Sequence, residues 1–151
     1  MTLVETLHIE AASVRDERAE AVMPVTPDVL QPFGFVHGGA TIALLETVAS
    51  LGAQQGTDLE SERPFGVDVH VRHRKAVASG TLLGVAELDR IEPARTGGVR
   101  QFWSVAAYDD EGDVVSEGVV VMRIVPLARL AEKERERAAA RGQEQPVSGG
   151  A

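Results

Sequence analysis

The feature that most constrains the fold is one long helical pattern, residues 40–55, with strand-like segments on both sides of it. Apolar or small residues recur at helical spacing at Ile42, Leu45, Ala49, Gly52 and Ala53, and Leu44, Val48 and Leu51 widen that surface. A helix that is apolar over so much of its circumference is expected to be buried. Its small residues would let a sheet wrap closely around it. The chain is therefore predicted to fold around a single central helix.

Six segments carry strand-like patterns, two before the helix and four after it. They are residues 5–14, 18–25, 65–74, 81–92, 99–108 and 114–125. The breaks between them are short, and Asp109-Asp110-Glu111-Gly112 is typical of a hairpin turn. Short connections favour antiparallel pairing. This order of elements predicts an α+β fold in which one helix packs on an antiparallel sheet.

Composition excludes several classes of function. The sequence contains no cysteine, so disulfides, a cysteine nucleophile and thiolate metal ligands are excluded. The formal net charge of −8 argues against non-specific nucleic-acid binding, which needs a basic face. The four histidines lack the spacing of a zinc site, so no metal and no cofactor is expected. No signal peptide or membrane span is recognised, and a soluble cytoplasmic protein is predicted.

The C-terminal segment differs in character from the rest of the chain. Residues 1–126 are predicted to form one domain, and residues 127–151 a tail. Residues 127–141 read as a charged helix with (i, i+3) pairs at Glu132–Arg135 and Glu134–Arg137. The polar residues 143–151 are predicted to be disordered.

The candidate chemistry lies at the central helix. Glu46 sits in mid-helix at the edge of the apolar stripe, one turn before Ser50. Partial removal from water would make this carboxylate a stronger base or nucleophile, although a solvated glutamate on a helix flank is the alternative. Gly38 and Gly39 immediately precede the helix, where free N–H groups can bind developing negative charge. A simple loop-to-helix turn is the alternative for these glycines.

Other polar residues nearby are open to two interpretations. The Gln31 amide could polarise a carbonyl, and His37 could donate to a substrate or orient a neighbour, or both could be ordinary loop residues. His73 could belong to the site or be a half-exposed strand histidine. By themselves, Arg74, Lys75, Arg100 and the Gly97-Gly98 turn are typical of a solvated charged face beside a hairpin turn.

One spacing resembles that of the hotdog-fold thioesterases, namely that of Gln31, His37-Gly38-Gly39, Glu46 and Ser50. It is similar to the branch containing one type of 4-hydroxybenzoyl-CoA thioesterase, the phenylacetate-pathway thioesterase and the proofreading thioesterase of enterobactin synthesis. A second match is the strand ending at His73, where His70 and Arg72 replace two asparagines of the family pattern. The resemblance covers about residues 5–125. It implies a hotdog fold, an antiparallel sheet wrapped around one long central helix.

The resemblance also implies an activity, the hydrolysis of an aryl- or medium-chain acyl-CoA thioester to free acid and CoA. Glu46 would be the nucleophile or general base, and the Gly38 N–H would polarise the thioester carbonyl. Gln31 would lie near that carbonyl, and Ser50 would help to place the attacking water. The other implied catalytic residues are His37 and His73, and the candidates for binding substrate or CoA are Gly39, Arg74, Lys75, Gly97, Gly98 and Arg100.

The same resemblance implies a homodimer as the minimal unit, with Gln31 and Gly38 of one subunit facing Glu46 of the other, and a tetramer of two such dimers. A hydratase or dehydratase would use a differently spaced histidine with an Asp or Glu, and no such arrangement surrounds His37 or His73. A non-catalytic acyl-CoA-binding or regulatory hotdog module remains the alternative. Such a module would be expected to lack the Glu46 carboxylate.

Overall fold

A computed structural model describes residues 1–143. Its central feature is a six-stranded antiparallel sheet with the strand order β1-β2-β4-β5-β6-β3. The elements in chain order are α1 (Leu3–Thr6), β1 (Glu10–Arg15), β2 (Arg18–Pro24), α2 (Gly38–Gln55), β3 (Glu62–His73), β4 (Thr81–Pro93), β5 (Val99–Tyr108), β6 (Val114–Pro126) and α3 (Leu127–Gln143). A short 3-10 turn, Pro27–Val29, lies in the connection from β2 to α2. The predicted arrangement of one helix against an antiparallel sheet is confirmed.

Helix α2 forms the centre of the core, as its apolar pattern predicts. Leu44, Leu45 and Val48 have no solvent exposure and pack among side chains from the inner face of the sheet. The small residues allow the predicted close approach: a Cβ on Gly52 would lie 2.5 Å from Cη2 of Trp103 on β5. The sheet can therefore curve around the helix at a distance that a larger side chain at position 52 would prevent.

The N-terminal prediction was wrong in part, because residues 5–14 do not form one strand. A single helical turn, Leu3–Thr6, precedes β1, and β1 begins only at Glu10. The Thr2 hydroxyl accepts from the Glu5 N–H, and the Glu5 carboxylate accepts from the Thr2 N–H. This reciprocal capping box satisfies the backbone donors of the turn and stabilises it against the extended form.

Strand β3 is one edge of the sheet and β1 is the other. β3 pairs with β6 in an antiparallel ladder in which His73 lies opposite Ser116 and Gly66 lies opposite Met122. The register shifts between Gly66 and Asp68, which marks a β-bulge. Since the other side of β3 has no neighbouring strand among the described residues, its backbone groups are free to pair with a further strand.

The charged segment after β6 is helical, as predicted, and runs over Leu127–Gln143 with no buried residue. Its (i, i+3) ion pair in the structure is Arg129–Glu132, at 2.9 Å, rather than either of the two predicted pairs. The disorder predicted for residues 143–151 falls, apart from Gln143 at the helix end, outside the described residues. Within residues 1–143 no helix is long and apolar enough to cross a membrane.

Candidate active site

The start of α2 carries a free backbone donor. The helix begins at Gly38, two residues earlier than predicted, and His37 is its N-cap. His37 Nδ1 accepts from the Gly39 N–H at 2.8 Å, so the imidazole satisfies one donor of the first turn. The Gly39 N–H is thereby occupied, whereas the Gly38 N–H has no acceptor among residues 1–143. Of the two predicted glycine donors, only Gly38 is available to a ligand.

Gln31 is held beside the helix start by a tight turn. Its backbone N–H donates to the Phe35 carbonyl at 2.7 Å, and Gly34 in the turn adopts a φ of +90°, which glycine tolerates. The side-chain Oε1 of Gln31 accepts from the Phe33 N–H. That bond fixes the amide so that its NH₂ group is left as a donor.

His73, at the end of β3, lies against the same helix start. A Cβ on Gly38 would be 2.7 Å from Nε2 of His73, so only glycine leaves room for the ring in this position. Nδ1 of His73 lies 2.7 Å from Oγ of Ser116, which is fully buried. The sequence interpretation missed Ser116, because its contact with His73 comes from strand pairing rather than from any motif. Gln31, Gly38, His73 and Ser116 all line one cavity of about 400 Å³.

Glu46 occupies a second location, farther along α2. Its side chain is half-buried and packs over the β-bulge of β3, where a Cβ on Gly66 would lie 3.0 Å from the Glu46 carboxyl carbon. No hydrogen bond or ion pair to the Glu46 carboxylate is formed by the residues that the structure describes. Gly66 is a second residue that the sequence interpretation missed. Its contact with Glu46 depends on how α2 packs against β3, which the sequence pattern around Gly66 does not show.

Ser50 lies one turn beyond Glu46, on the same side of the helix. Its hydroxyl donates to the Glu46 carbonyl at 2.8 Å and lies 3.9 Å from the sulfur of Met122. It also lines a largely apolar cavity of about 380 Å³ between α2 and the N-terminal segment. The other residues lining that cavity are Val4, Ile9, Ala11, Thr47, Leu51 and Gln54.

The structure thus divides the predicted site residues into two groups. We call Gln31, Gly38 and His73 the helix-start half-site, and Glu46, Ser50 and Gly66 the carboxylate half-site. Eight residues of α2 separate Gly38 from Glu46, which is about 12 Å of helix. Seven residues of β3 separate Gly66 from His73, which is about 20 Å of strand. Within one chain the two half-sites are too far apart to act on the same carbonyl group.

Two of the three predicted phosphate-binding cations, Arg74 and Lys75, have carboxylate partners. Arg74 is paired with Glu117 at 2.8 Å, and both side chains are exposed. Lys75 lies among three carboxylates, at 2.6 Å from Asp109, 3.2 Å from Glu111 and 2.7 Å from Asp113. The hydrogen bond with Asp109 is the main reason that the pKa of Lys75 is raised above its usual range. An ammonium group held in this way is a poor candidate for binding a phosphate.

The other candidates lie at the opposite end of β6. Gly97 and Gly98 form the turn between β4 and β5 with φ values of +93° and +74°, and the Gly97 N–H donates to the Ala94 carbonyl. Arg100 follows on β5, with its guanidinium carbon 5.4 Å from the centroid of the Phe102 ring. The Gly98 N–H and Arg100 are therefore the donors at this end that remain able to contact an anion.

Comparisons with known proteins agree with one another. The family model described as the Thioesterase superfamily matches residues 33–116, which include every residue of the two half-sites except Gln31. The proofreading thioesterase EntH of Cronobacter turicensis is 37% identical over 111 residues, covering 74% of this chain and 77% of that protein. The 1,4-dihydroxy-2-naphthoyl-CoA hydrolase of Escherichia coli is 30% identical over 110 residues, covering 73% of this chain and 76% of that protein.

Solved structures show the same arrangement of helix and sheet. A mutant thioesterase from Pseudomonas aeruginosa superposes with a TM-score of 0.75 at 28% sequence identity. The match covers 83% of this chain and 87% of the other. The match therefore extends over most of both chains.

Proposed function

The chain belongs to the thioesterase superfamily and is a thioester hydrolase with a hotdog fold, and from this premise we propose that Glu46 drives the hydrolysis of an aryl- or medium-chain acyl-CoA. The observation that carries the proposal is that, among residues 1–143, the half-buried Glu46 carboxylate has no partner cation and the Gly38 N–H at the helix start has no acceptor. Acyl transfer needs a base or nucleophile, and it needs a donor that stabilises the negative charge developing on the carbonyl oxygen.

In the proposed reaction the Gly38 N–H donates to the thioester oxygen as negative charge develops on it. Glu46 then acts in one of two ways. As a nucleophile, it attacks the carbonyl carbon, the thiolate of CoA leaves, and water hydrolyses the mixed anhydride to the free acid. As a general base, it takes a proton from the water that attacks the carbonyl carbon, and the proton passes to the departing thiolate. Ser50, one turn away, is the proposed contact for that water.

A complete site requires two subunits under this proposal. If the free edges of two β3 strands pair antiparallel about a two-fold axis between Val69 and His70, Gly66 lies opposite His73 of the partner subunit. Glu46, which packs on Gly66, then lies beside the helix start of the other chain. The same pairing brings the Gly98 turn towards the partner subunit's Arg74. Each dimer would hold two identical sites, each made of one half-site from each chain.

The tetramer predicted from the resemblance has a candidate surface. The outer face of the sheet, on the side away from α2, carries a groove of about 880 Å³ whose lining includes Val85, Ala106 and Val119 with Arg72 and Glu87 at its margins. Apolar side chains flanked by opposite charges are typical of a surface that meets a second copy of itself. A tetramer of two dimers is therefore proposed to form through this face.

For the acyl group, the 380 Å³ cavity beside Ser50 is the proposed binding site. Its lining is mainly apolar, which suits an aromatic ring or a medium alkyl chain. The relatives described above are named for proofreading and for a naphthoyl-CoA substrate, and an aryl-CoA is accordingly the first substrate class to test. Arg74, Gly98 and Arg100 are the proposed contacts for the CoA phosphates, with Lys75 retained in its acidic cluster.

The test follows CoA release with a thiol reagent across a panel of aryl- and alkyl-CoA thioesters. Wild type is compared with Glu46→Ala and Glu46→Gln, and with Glu136→Ala on the exposed helix α3 as a matched control. Both Glu46 variants should lose about 100-fold or more in kcat while the control is unaffected. Equal rates in wild type and both Glu46 variants would remove Glu46 from the mechanism. Tight CoA binding without turnover by wild type would instead favour the binding-module alternative.

A further inference from the structure

Ser116 is a fully buried serine on the inner face of β6, directly opposite His73 in the β3–β6 ladder. Its hydroxyl oxygen lies 2.7 Å from Nδ1 of His73. No motif and no comparison gives Ser116 a role. Burying a hydroxyl group is costly unless it forms a hydrogen bond, so the contact of Ser116 with His73 determines where the protons of this pair lie.

The location of the protons follows from burial. Among residues 1–143, the His73 ring is the one hydrogen-bond partner of the Ser116 hydroxyl. If Nδ1 carried the hydrogen, the serine would accept and its own proton would be buried without an acceptor, which is costly. The serine therefore donates, and Nδ1 accepts. A neutral imidazole that accepts at Nδ1 carries its hydrogen on Nε2.

The Nε2 atom is the part of the ring that lies against Gly38. In the Nε2–H form, His73 adds a second donor beside the free Gly38 N–H, in the cavity that the Gln31 NH₂ group also lines. Three donors around one cavity fit an oxygen atom on which negative charge develops. In the opposite tautomer Nε2 would present a lone pair to that oxygen and repel it.

We propose that Ser116 is a positioning residue that holds His73 as the Nε2–H tautomer, so that His73 and Gly38 donate together to the thioester oxygen. The inference rests on the proposed thioester hydrolysis for its purpose. The tautomer itself is a property of the free protein. The two can therefore fail separately.

The first measurement is NMR of the imidazole nitrogens in protein labelled with ¹⁵N-histidine, with His73→Ala used to assign the His73 signals. Wild type should show His73 as the Nε2–H tautomer at neutral pH. Ser116→Ala should show a mixture of both tautomers, and Ser116→Thr, which keeps the hydroxyl, should restore the wild-type signals. A wild-type His73 with its hydrogen on Nδ1, or a tautomer unchanged in Ser116→Ala, would overturn the proposal whether or not any thioester is hydrolysed.

The second measurement links the tautomer to the reaction. Ser116→Ala should lower kcat about tenfold with little change in KM, because a donor is weakened where charge develops. The same substitution should have no further effect in the His73→Ala background, since Ser116 acts through His73. Ser79→Ala, which changes an exposed serine in the bend before β4, is the control. Equal losses from Ser116→Ala with and without His73 would assign Ser116 a purely structural role and overturn the proposal.

Discussion

The carboxylate of Glu46 packs directly over Gly66 of the β3 bulge, so closely that a Cβ at position 66 would lie 3.0 Å from the carboxyl carbon. The nearest atoms belong to the far end of a flexible side chain, so an added methyl group should move Glu46 rather than unfold the sheet. Gly66→Ala is therefore expected to lower kcat about tenfold or more while the melting temperature changes by only a few degrees. Thioester turnover and a thermal melt measure the two effects.

The matched control for that substitution is Gly56→Ala, at the C-cap of α2. No atom lies within 4 Å of a Cβ at position 56, and its φ of −95° suits any residue. This variant should keep the wild-type kcat. If Gly66→Ala also kept full activity, the position of Glu46 over the bulge would be irrelevant to catalysis.

The division of the site predicts complementation between inactive chains. Glu46→Gln removes the carboxylate half-site, and Gly38→Val blocks the helix-start half-site by displacing His73. Each variant alone should be inactive. Random assembly of the two co-expressed chains should recover about a quarter of wild-type activity, because half of the dimers are mixed and each mixed dimer has one intact site of two. CoA release by the purified mixture measures the recovery.

The control for complementation pairs two variants of the same half-site, Glu46→Gln and Gly66→Ala. No mixed dimer of these chains has a site with both halves intact, so activity should not rise above that of the Gly66→Ala chain. A lack of recovery from the first pair, with mixed dimers demonstrated by differently tagged chains, would show that each chain works with its own half-sites.

How much the sequence could predict depended on whether a feature was local. The burial of α2 and the order of the helix and strands along the chain follow from repeating patterns within short windows, and these predictions were confirmed except at residues 5–9. The roles proposed for Gly66 and Ser116 could not be read from the sequence, because each depends on a side chain that folding brings from another element. The ion pairs of Lys75 could not be predicted for the same reason, because its carboxylate partners lie more than thirty residues away in the sequence, in the turn between β5 and β6.

The close contact of Gly52 with Trp103 predicts a large loss of stability from a small substitution. Alanine is the better helix former by about 1 kcal/mol, so propensity alone would make Gly52→Ala stabilising. In this protein the added Cβ would lie 2.5 Å from the buried indole, which has little room to move. The free energy of unfolding, measured by denaturant titration, should instead fall by about 1–3 kcal/mol.

Gly142→Ala provides the comparison, because Gly142 lies in α3 and no atom is within 4 Å of a Cβ there. It should be neutral or slightly stabilising. A Gly52→Ala protein as stable as wild type would mean that the sheet can move away from the helix, and that the small residues of α2 are not required for the close packing.

The acidic cluster around Lys75 predicts how the stability of this end of the sheet depends on pH. The hydrogen bond from Lys75, supported by backbone N–H groups, holds the pKa of Asp109 below its usual range. A carboxyl group whose pKa is lower in the folded state stabilises the fold above its unfolded pKa of about 4, and loses that effect as the pH falls through the folded pKa. The pKa of Lys75 is raised in the folded state, so Lys75 stabilises the fold at acidic and neutral pH. This contribution is lost only at alkaline pH, as the pH rises through the folded pKa.

Asp109→Asn should therefore lower the melting temperature by a constant amount between about pH 5 and pH 9, with the difference from wild type shrinking below about pH 4. Asparagine retains an oxygen that can accept from the Glu111 and Asp113 N–H groups, so the turn itself should survive. Asp16→Asn, in the exposed turn between β1 and β2, removes one carboxylate without a partner cation among residues 1–143 and should show no such profile. A melting-temperature difference for Asp109→Asn that stayed constant down to pH 2 would mean that packing, rather than the charge pair with Lys75, holds the β5–β6 turn against the end of β3.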